Sequence, residues 1–152
     1  MRQTLLDCCD FDWSSISPAI FGAMFQGVLD TNARRELGAH YTSEENILKL
    51  IRPLFLDALW EEFERVKTNT KKLSEFHDRI SSLRFLDPAC GCGNFLIVAY
   101  RELRILELEI LKMQLSGQQL VDIRGSLKVS VSQFSGMEIG SFPARLLKQE
   151  CG

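Results

Sequence analysis

The sequence predicts an α/β chain, with a helical segment over residues 1–80 and the first strand-helix units of an α/β domain over residues 81–152. Three observations carry this. Apolar residues recur at helical spacing through the first half. An apolar run, Leu83 to Leu86, enters the turn Asp87-Pro88-Ala89-Cys90-Gly91-Cys92-Gly93 and leaves it as a long helical pattern. A second strand-like run, Phe134-Ser135-Gly136-Met137-Glu138-Ile139, precedes another helix start at Phe142-Pro143.

Taken in order, Met1 to Asp12 has no clear period. Ser17-Pro18 starts a helix, proline being tolerated in a first turn, and Ile20, Phe21, Met24, Phe25 and Val28 give it one apolar packing face. Thr31 to Gly38 breaks the period, exposes Arg34 and Arg35, and ends in a glycine suited to a turn. Thr42 and Glu45 then stand at capping-box spacing, Thr42 as N-cap. The helix they open lines Ile47, Leu48, Ile51, Leu54, Phe55, Leu59 and Phe63 along one side, and Pro53 is where it bends or divides. Lys67 to Lys72 is polar, a loop or helix end. A short helix through Phe76 and Ile80 follows, with His77 expected on its solvated face.

From Asn94 to about Leu115, Leu96, Ile97, Tyr100, Leu103, Leu106 and Ile110 repeat at helical spacing, and the charged residues from Arg101 to Lys112 read as a solvated face. The segment Ser116 to Ser132 holds Val121 and Ile123 before Gly125, then Leu127, Val129 and Val131 in alternation, the pattern of a small hairpin or inserted ribbon.

The strand-turn-helix at residues 83–96 outlines a nucleotide-cofactor pocket. Gly91 and Gly93 let the backbone turn sharply and approach a ligand with no Cβ in the way. A carboxylate at the strand end, Asp87, repels phosphate but accepts hydrogen bonds from an ammonium group. A cofactor with an amino-acid tail therefore fits better than a dinucleotide. The acid that binds a ribose lies roughly 20 residues past the glycine loop in dinucleotide folds, whereas Glu138 lies 45 positions past Gly93. Asp122 competes for the role, but Glu138 ends a strand-like run just before a helix start, the geometry that sets a carboxylate at a ribose diol.

Asp87-Pro88-Ala89-Cys90-Gly91-Cys92-Gly93-Asn94-Phe95 resembles motif I of the adenine-N6 DNA methyltransferases, with Cys92 in place of the usual serine. Gly38-Ala39-His40-Tyr41-Thr42-Ser43 resembles their motif X, and Phe134 to Ile139 followed by Pro143-Ala144 resembles motif II. The closest likeness is to the MmeI-like type IIL restriction-modification enzymes, in which a block like Arg34 to Ser43 leads through a helix like that bearing Pro53 to Asp57 into motif I.

The resemblance implies a Rossmann-like fold and S-adenosyl-L-methionine as cofactor, with DNA as the partner of the full-length enzyme. Asp87 would hold the methionyl ammonium, and Pro88, Ala89, Cys90, Gly91, Gly93 and Asn94 would form the cradle. Glu138 would accept from the ribose hydroxyls, and Phe95 or Ile139 would pack on the adenine. His40, Tyr41 and Thr42 would cover the methionine end. The motif order X, I, II is shared by the gamma and alpha arrangements as far as this chain runs.

With 152 residues, 45% of them hydrophobic, the chain can bury a single core. Its 18 basic and 20 acidic residues leave it near neutral, so it offers DNA no overall basic field. Five cysteines, Cys8, Cys9, Cys90, Cys92 and Cys151, are odd in number and wrongly spaced for a disulfide framework or paired zinc site; reduced thiols and no metal are expected. No run is apolar enough for a membrane span or leader, so a cytoplasmic location is expected.

The family's Asp/Asn-Pro-Pro-Tyr/Phe motif positions the target amine and stacks on the flipped base. No Pro-Pro dipeptide occurs here. The chain is therefore expected to be a truncated, inactive portion without catalytic residues, lacking the remainder of the methyltransferase and its target-recognition domain, and self-associating through an open sheet edge. A non-catalytic binding module and a fragment of a protein or RNA methyltransferase remain the alternatives.

Overall fold

The computed structural model describes residues 42–115 and 124–139. The expected helix from Ser17, the Thr31 to Gly38 connector, His40, Tyr41, Asp122 and the helix start at Phe142 lie outside the described residues. Contacts divide the chain into two compact units between Tyr41 and Thr42, and the described residues belong to the second.

Helix α1, Glu44–Ile51, is capped by Ser43, whose extended backbone lets its hydroxyl accept from Asn46 N–H at 3.4 Å. The cap thus falls one residue later than the expected Thr42. Glu44 and Glu45 occupy the first turn, where the helix dipole favours negative charge.

At Pro53 the helix does not break. It widens into a π turn over Arg52–Leu56 and resumes as α2, Asp57–Val66. Asp57 N–H bonds Arg52 C=O, five residues back, so the ladder passes the residue that has no N–H to give. The wider turn advances the apolar face by one position. Leu54, expected inside, is 77% exposed, whereas Leu56 is 2% exposed.

Helix α3, Thr70–Ser82, starts at Asn69, whose side chain accepts from Lys72 N–H at 3.0 Å. It buries Leu73, Phe76, His77 and Ile80, one stripe at helical spacing. His77, expected on the solvated face, is therefore inside, 2% exposed, and hydrogen-bonded there to Glu107 at 2.8 Å.

Strand β1, Phe85–Asp87, feeds helix α4, Asn94–Gln114, and the chain returns to β2, Phe134–Gly136, which pairs parallel to β1. Phe85 faces Phe134, Leu86 faces Ser135 and Asp87 faces Gly136. The rings of Phe85 and Phe134 stack at 4.9 Å, with Tyr100 of α4 edge-on to Phe134 at 5.6 Å, which fastens this short sheet to the helix covering it.

The charged face of α4 has one exception to the expected solvation: Glu107 is 0% exposed. Of the ribbon expected over residues 116–132, residues 116–123 lie outside the described residues, and residues 124–132 form no strand. Single 3-10 turns, Arg124–Ser126 and Val131–Gln133, flank an irregular stretch. Its Lys128 and Val129 N–H groups donate to the Glu107 carboxylate instead of to a neighbouring strand.

Two apolar clusters hold the elements together. One joins Leu59 and Phe63 of α2, Leu73, Phe76 and Ile80 of α3, and Leu103, Leu106 and Ile110 of α4, with Val129. The other joins Ile47, Ile51 and Leu56 to Val98 of α4. Arg101 of α4 adds an ion pair to Glu44 of α1 at 2.7 Å. Among the described residues no helix is long and apolar enough to cross a membrane.

The π turn makes a direct prediction. Leu56→Ala should cost about 3 kcal/mol of unfolding free energy and Leu54→Ala less than about 0.5 kcal/mol, measured by urea denaturation. Equal costs would contradict the shifted face.

Candidate cofactor site

The site is built where β1 gives way to α4. Asp87 closes the strand, and its carboxylate accepts from Ala89 N–H at 3.1 Å, which folds the chain back at Pro88. Met137, just beyond β2, brackets the turn. Its N–H donates to Asp87 C=O at 2.8 Å and its C=O accepts from Cys90 N–H at 3.0 Å. The parallel pairing thus continues past both strand ends into the loop.

Gly91 and Gly93 both adopt positive φ, 55° and 85°, a region that L side chains rarely enter. At Gly91 a Cβ would meet no atom within 4 Å, so conformation rather than crowding calls for glycine, and open space lies beside the backbone. Gly93 N–H closes the turn on Cys90 C=O at 2.8 Å, and Gly93 C=O starts α4 by accepting from Ile97 N–H at 2.9 Å.

Glu138 reaches into this turn from the end of β2. Its Oε2 accepts from Gly91 N–H at 2.9 Å, across 47 positions of sequence. Asp87, Ala89, Cys90, Gly91, Gly93 and Glu138 are therefore gathered by one set of hydrogen bonds. Asn94 is buried at the first turn of α4. The two candidates for packing on an adenine differ: Phe95 is partly buried against the α1 cluster, whereas the Ile139 side chain is fully exposed. Thr42 stands half-buried ahead of the α1 cap.

One contributor, Gly136, was not expected from sequence, and Cys90, expected in the cradle, packs against it. Gly136 is a close-approach glycine, since a Cβ there would lie 2.6 Å from Cys90 Sγ. Cys90 fills the gap beneath the turn, its Sγ 3.3 Å from Met137 C=O. Burial, then the nearby Asp87 and Glu138 carboxylates, pushes its thiol up, so it is protonated near neutral pH and acts as a packing group. Only the spatial pairing of residues 90 and 136, absent from any local pattern, marks this contact.

The chemistry on offer is acceptor-rich. Two carboxylates stand at the carboxyl ends of adjacent parallel strands, where open α/β sheets bind ligands. A space opens at the glycine between them, and the turn carries no basic side chain. Such a site suits an ammonium group and hydroxyls and is hostile to phosphate. An amino-acid-bearing nucleoside such as S-adenosylmethionine fits these donors and acceptors.

Behind the site lies Glu107. Oε1 receives His77 Nε2 at 2.8 Å, Lys128 N–H at 2.6 Å and Val129 N–H at 2.9 Å, while Oε2 receives Arg104 Nη1 at 2.8 Å. Burial alone would raise this carboxyl. The His77 bond, the two backbone donors and the Arg104 charge together hold it below the ordinary carboxylate range.

Comparison with known proteins agrees with this architecture. Residues 63–149 match the family described as MmeI, DNA-methyltransferase domain. The chain is similar to DNA methyltransferase A of Bacillus subtilis strain 168, 43% identical over 144 residues that make up 93% of this chain and 16% of that protein. A putative type II restriction enzyme and methyltransferase of Methanocaldococcus jannaschii is 24% identical over 160 residues, covering 88% of this chain and 13% of that one. Among solved structures, the type IIL restriction-modification enzyme MmeI in complex with DNA superposes with a TM-score of 0.89 at 58% identity, over 96% of this chain and 20% of that chain. The chain thus spans a fifth or less of the length of each of these relatives.

The Glu107 node predicts a pH dependence. Because its folded pKa lies below its unfolded one, its stabilisation is complete above the ordinary carboxyl value of 4.5 and is lost as pH falls through the folded value. Glu107→Gln should cost about 3 kcal/mol near neutral pH. That difference from wild type should shrink as pH falls from about 7 to about 3 in denaturation melts; a constant difference would contradict the assignment.

Proposed function

The chain belongs to the MmeI DNA-methyltransferase domain family, and from that premise we propose that it forms the S-adenosylmethionine-binding portion of an adenine-N6-specific DNA methyltransferase of a restriction-modification system. Residues 81–152 contribute to a Rossmann-like cofactor domain. The motif X-like block His40, Tyr41 and Thr42 is assigned, by its resemblance, to the methionine end of the cofactor.

One observation carries the reading: Glu138 meets the Asp87–Gly93 turn through Gly91 N–H at 2.9 Å, which sets two strand-end carboxylates around an open glycine. Asp87 accepts from the methionyl ammonium and Glu138 from the ribose hydroxyls. Pro88, Ala89, Cys90, Gly91, Gly93 and Asn94 shape the cradle, and Phe95 and Ile139 flank the adenine. S-adenosylmethionine supplies an electrophilic methyl on its sulfonium. What these residues contribute is alignment of that donor, where much of the rate advantage of a group transfer lies.

The acceptor side belongs to other parts of the enzyme. No Asp/Asn-Pro-Pro-Tyr/Phe motif is present in this sequence, and 18 basic against 20 acidic residues give little pull on phosphate. DNA contacts in the whole enzyme come from the remaining methyltransferase and target-recognition parts. Among the described residues the sheet has two strands, β1 and β2, and its edge is the surface through which the chain would self-associate. The enzyme works in the cytoplasm, where its cofactor and DNA meet.

Calorimetric titration with S-adenosylhomocysteine, with NAD as control, tests the reading. The chain should bind the first and not the second, and Asp87→Ala and Glu138→Ala should each weaken binding about tenfold or more, the cost of a charge-assisted hydrogen bond. Equal binding of NAD, no binding of either ligand, or unchanged affinity in both variants would overturn it.

A further inference from the structure

We propose that Glu107, with Gln133 as its second tie, is a positioning residue for Glu138. As a statement about the cofactor site, this rests on the function proposed above. Glu107 is fully buried in the middle of α4 and touches no part of the glycine turn through the contacts described. Its carboxylate instead grips the irregular stretch that delivers β2, through the N–H groups of Lys128 and Val129. Arg104 bridges the same pair, donating to Glu107 Oε2 and, at 3.3 Å, to Val129 C=O.

A few residues on, Gln133 repeats the device from the other side. Its amide donates to Ile80 C=O at 2.9 Å and Leu83 C=O at 3.1 Å, at the end of α3, and its Oε1 accepts from Ser130 N–H at 2.9 Å. Between them the two side chains fix residues 128–133 to both helices.

The need for such ties follows from the size of the sheet. β1 and β2 pair over three residues each, too few to hold a register unaided. A slip of one position would turn Glu138 to the opposite face and remove it from Gly91. A buried carboxylate is an expensive way to fill a core, and well-packed apolar groups often do as well or better. What an apolar side chain cannot do is accept from two successive backbone N–H groups on a stretch that has no strand partner. The irregular path of residues 127–130 into β2 calls for that acceptor.

The test is amide hydrogen exchange of the unliganded 152-residue chain, followed by NMR at Gly91, whose N–H donates to Glu138. Glu138→Ala should lower protection at Gly91. Glu107→Ala should lower it by about tenfold or more beyond the fall at Leu59 and Phe63 in α2, which reports the global loss of stability. If Glu107→Ala does not fold, Gln133→Ala, which leaves no buried ion behind, is expected to give the same pattern.

Unchanged protection at Gly91, or an equal fall at Gly91 and in α2, would overturn the inference. Affinity for S-adenosylhomocysteine adds a cycle: Glu107→Ala should weaken binding in the wild-type background and have no further effect beside Glu138→Ala. Equal losses in both backgrounds would refute positioning through Glu138. If the wild-type chain binds no S-adenosylhomocysteine, the proposed function fails, while the exchange at Gly91 still decides whether Glu107 positions Glu138.

Discussion

The described structure turns on one buried carboxylate. Glu107 collects a side-chain bond from α3, an ion pair from its own helix and two backbone bonds from the stretch that follows, so three segments distant in sequence share one acceptor group. Desolvating an ion costs several kcal/mol, and an unsatisfied one would be ruinous in a domain of this size. Here both oxygens are used, and among the described residues no buried side-chain polar atom lacks a partner. The arrangement is consequently close to all-or-none: His77, Arg104 and the path of residues 128–129 are each constrained by the same pair of oxygens.

The helical frame around that node has its own constraint at Pro53. A proline inside a helix normally removes one ladder bond and kinks the axis. The π turn accommodates the proline with a five-residue bond from Asp57 N–H to Arg52 C=O, and the consequence is a rotated face. Leu56, Leu59 and Phe63 then point at the core, and Leu54 points to water. Phe55 falls between, touching both apolar clusters, so the turn that accommodates the proline also joins the two halves of the core.

These two features explain what was legible in sequence. The glycine turn, the strand before it and the extent of α4 are local signals, and Gly91, Gly93 and the 94–114 helix follow from them. The pairing of Glu138 with the turn was legible in its place at the end of a strand-like run before a helix start, and in motif order. By contrast, His77 and Glu107 read as surface charges because each is polar on its own, and what buries them is a partner 30 positions away. The alternation of Leu127, Val129 and Val131 promised a strand, but Glu107 takes the hydrogen bonds a ladder would need. Ser43 replaced Thr42 as cap because either residue can cap, and the choice is made by where the chain turns extended. In the site, the Gly136 approach to Cys90 is tertiary and has no one-dimensional signature.

The same logic bears on how the proposed pocket can serve a ligand while being internally bonded. Asp87 and Glu138 are like charges gathered at one turn, and each is steadied by a backbone donor, Ala89 N–H and Gly91 N–H. A carboxylate offers about four lone-pair sites, so it can accept from a backbone N–H and from a second donor at once. The two backbone bonds orient the carboxylates. A positively charged ligand group is drawn to two carboxylates at one turn, and a phosphate is repelled by them. On the proposed reading, charge favours a nucleoside with an amino-acid tail over a dinucleotide before any contact with the adenine is counted.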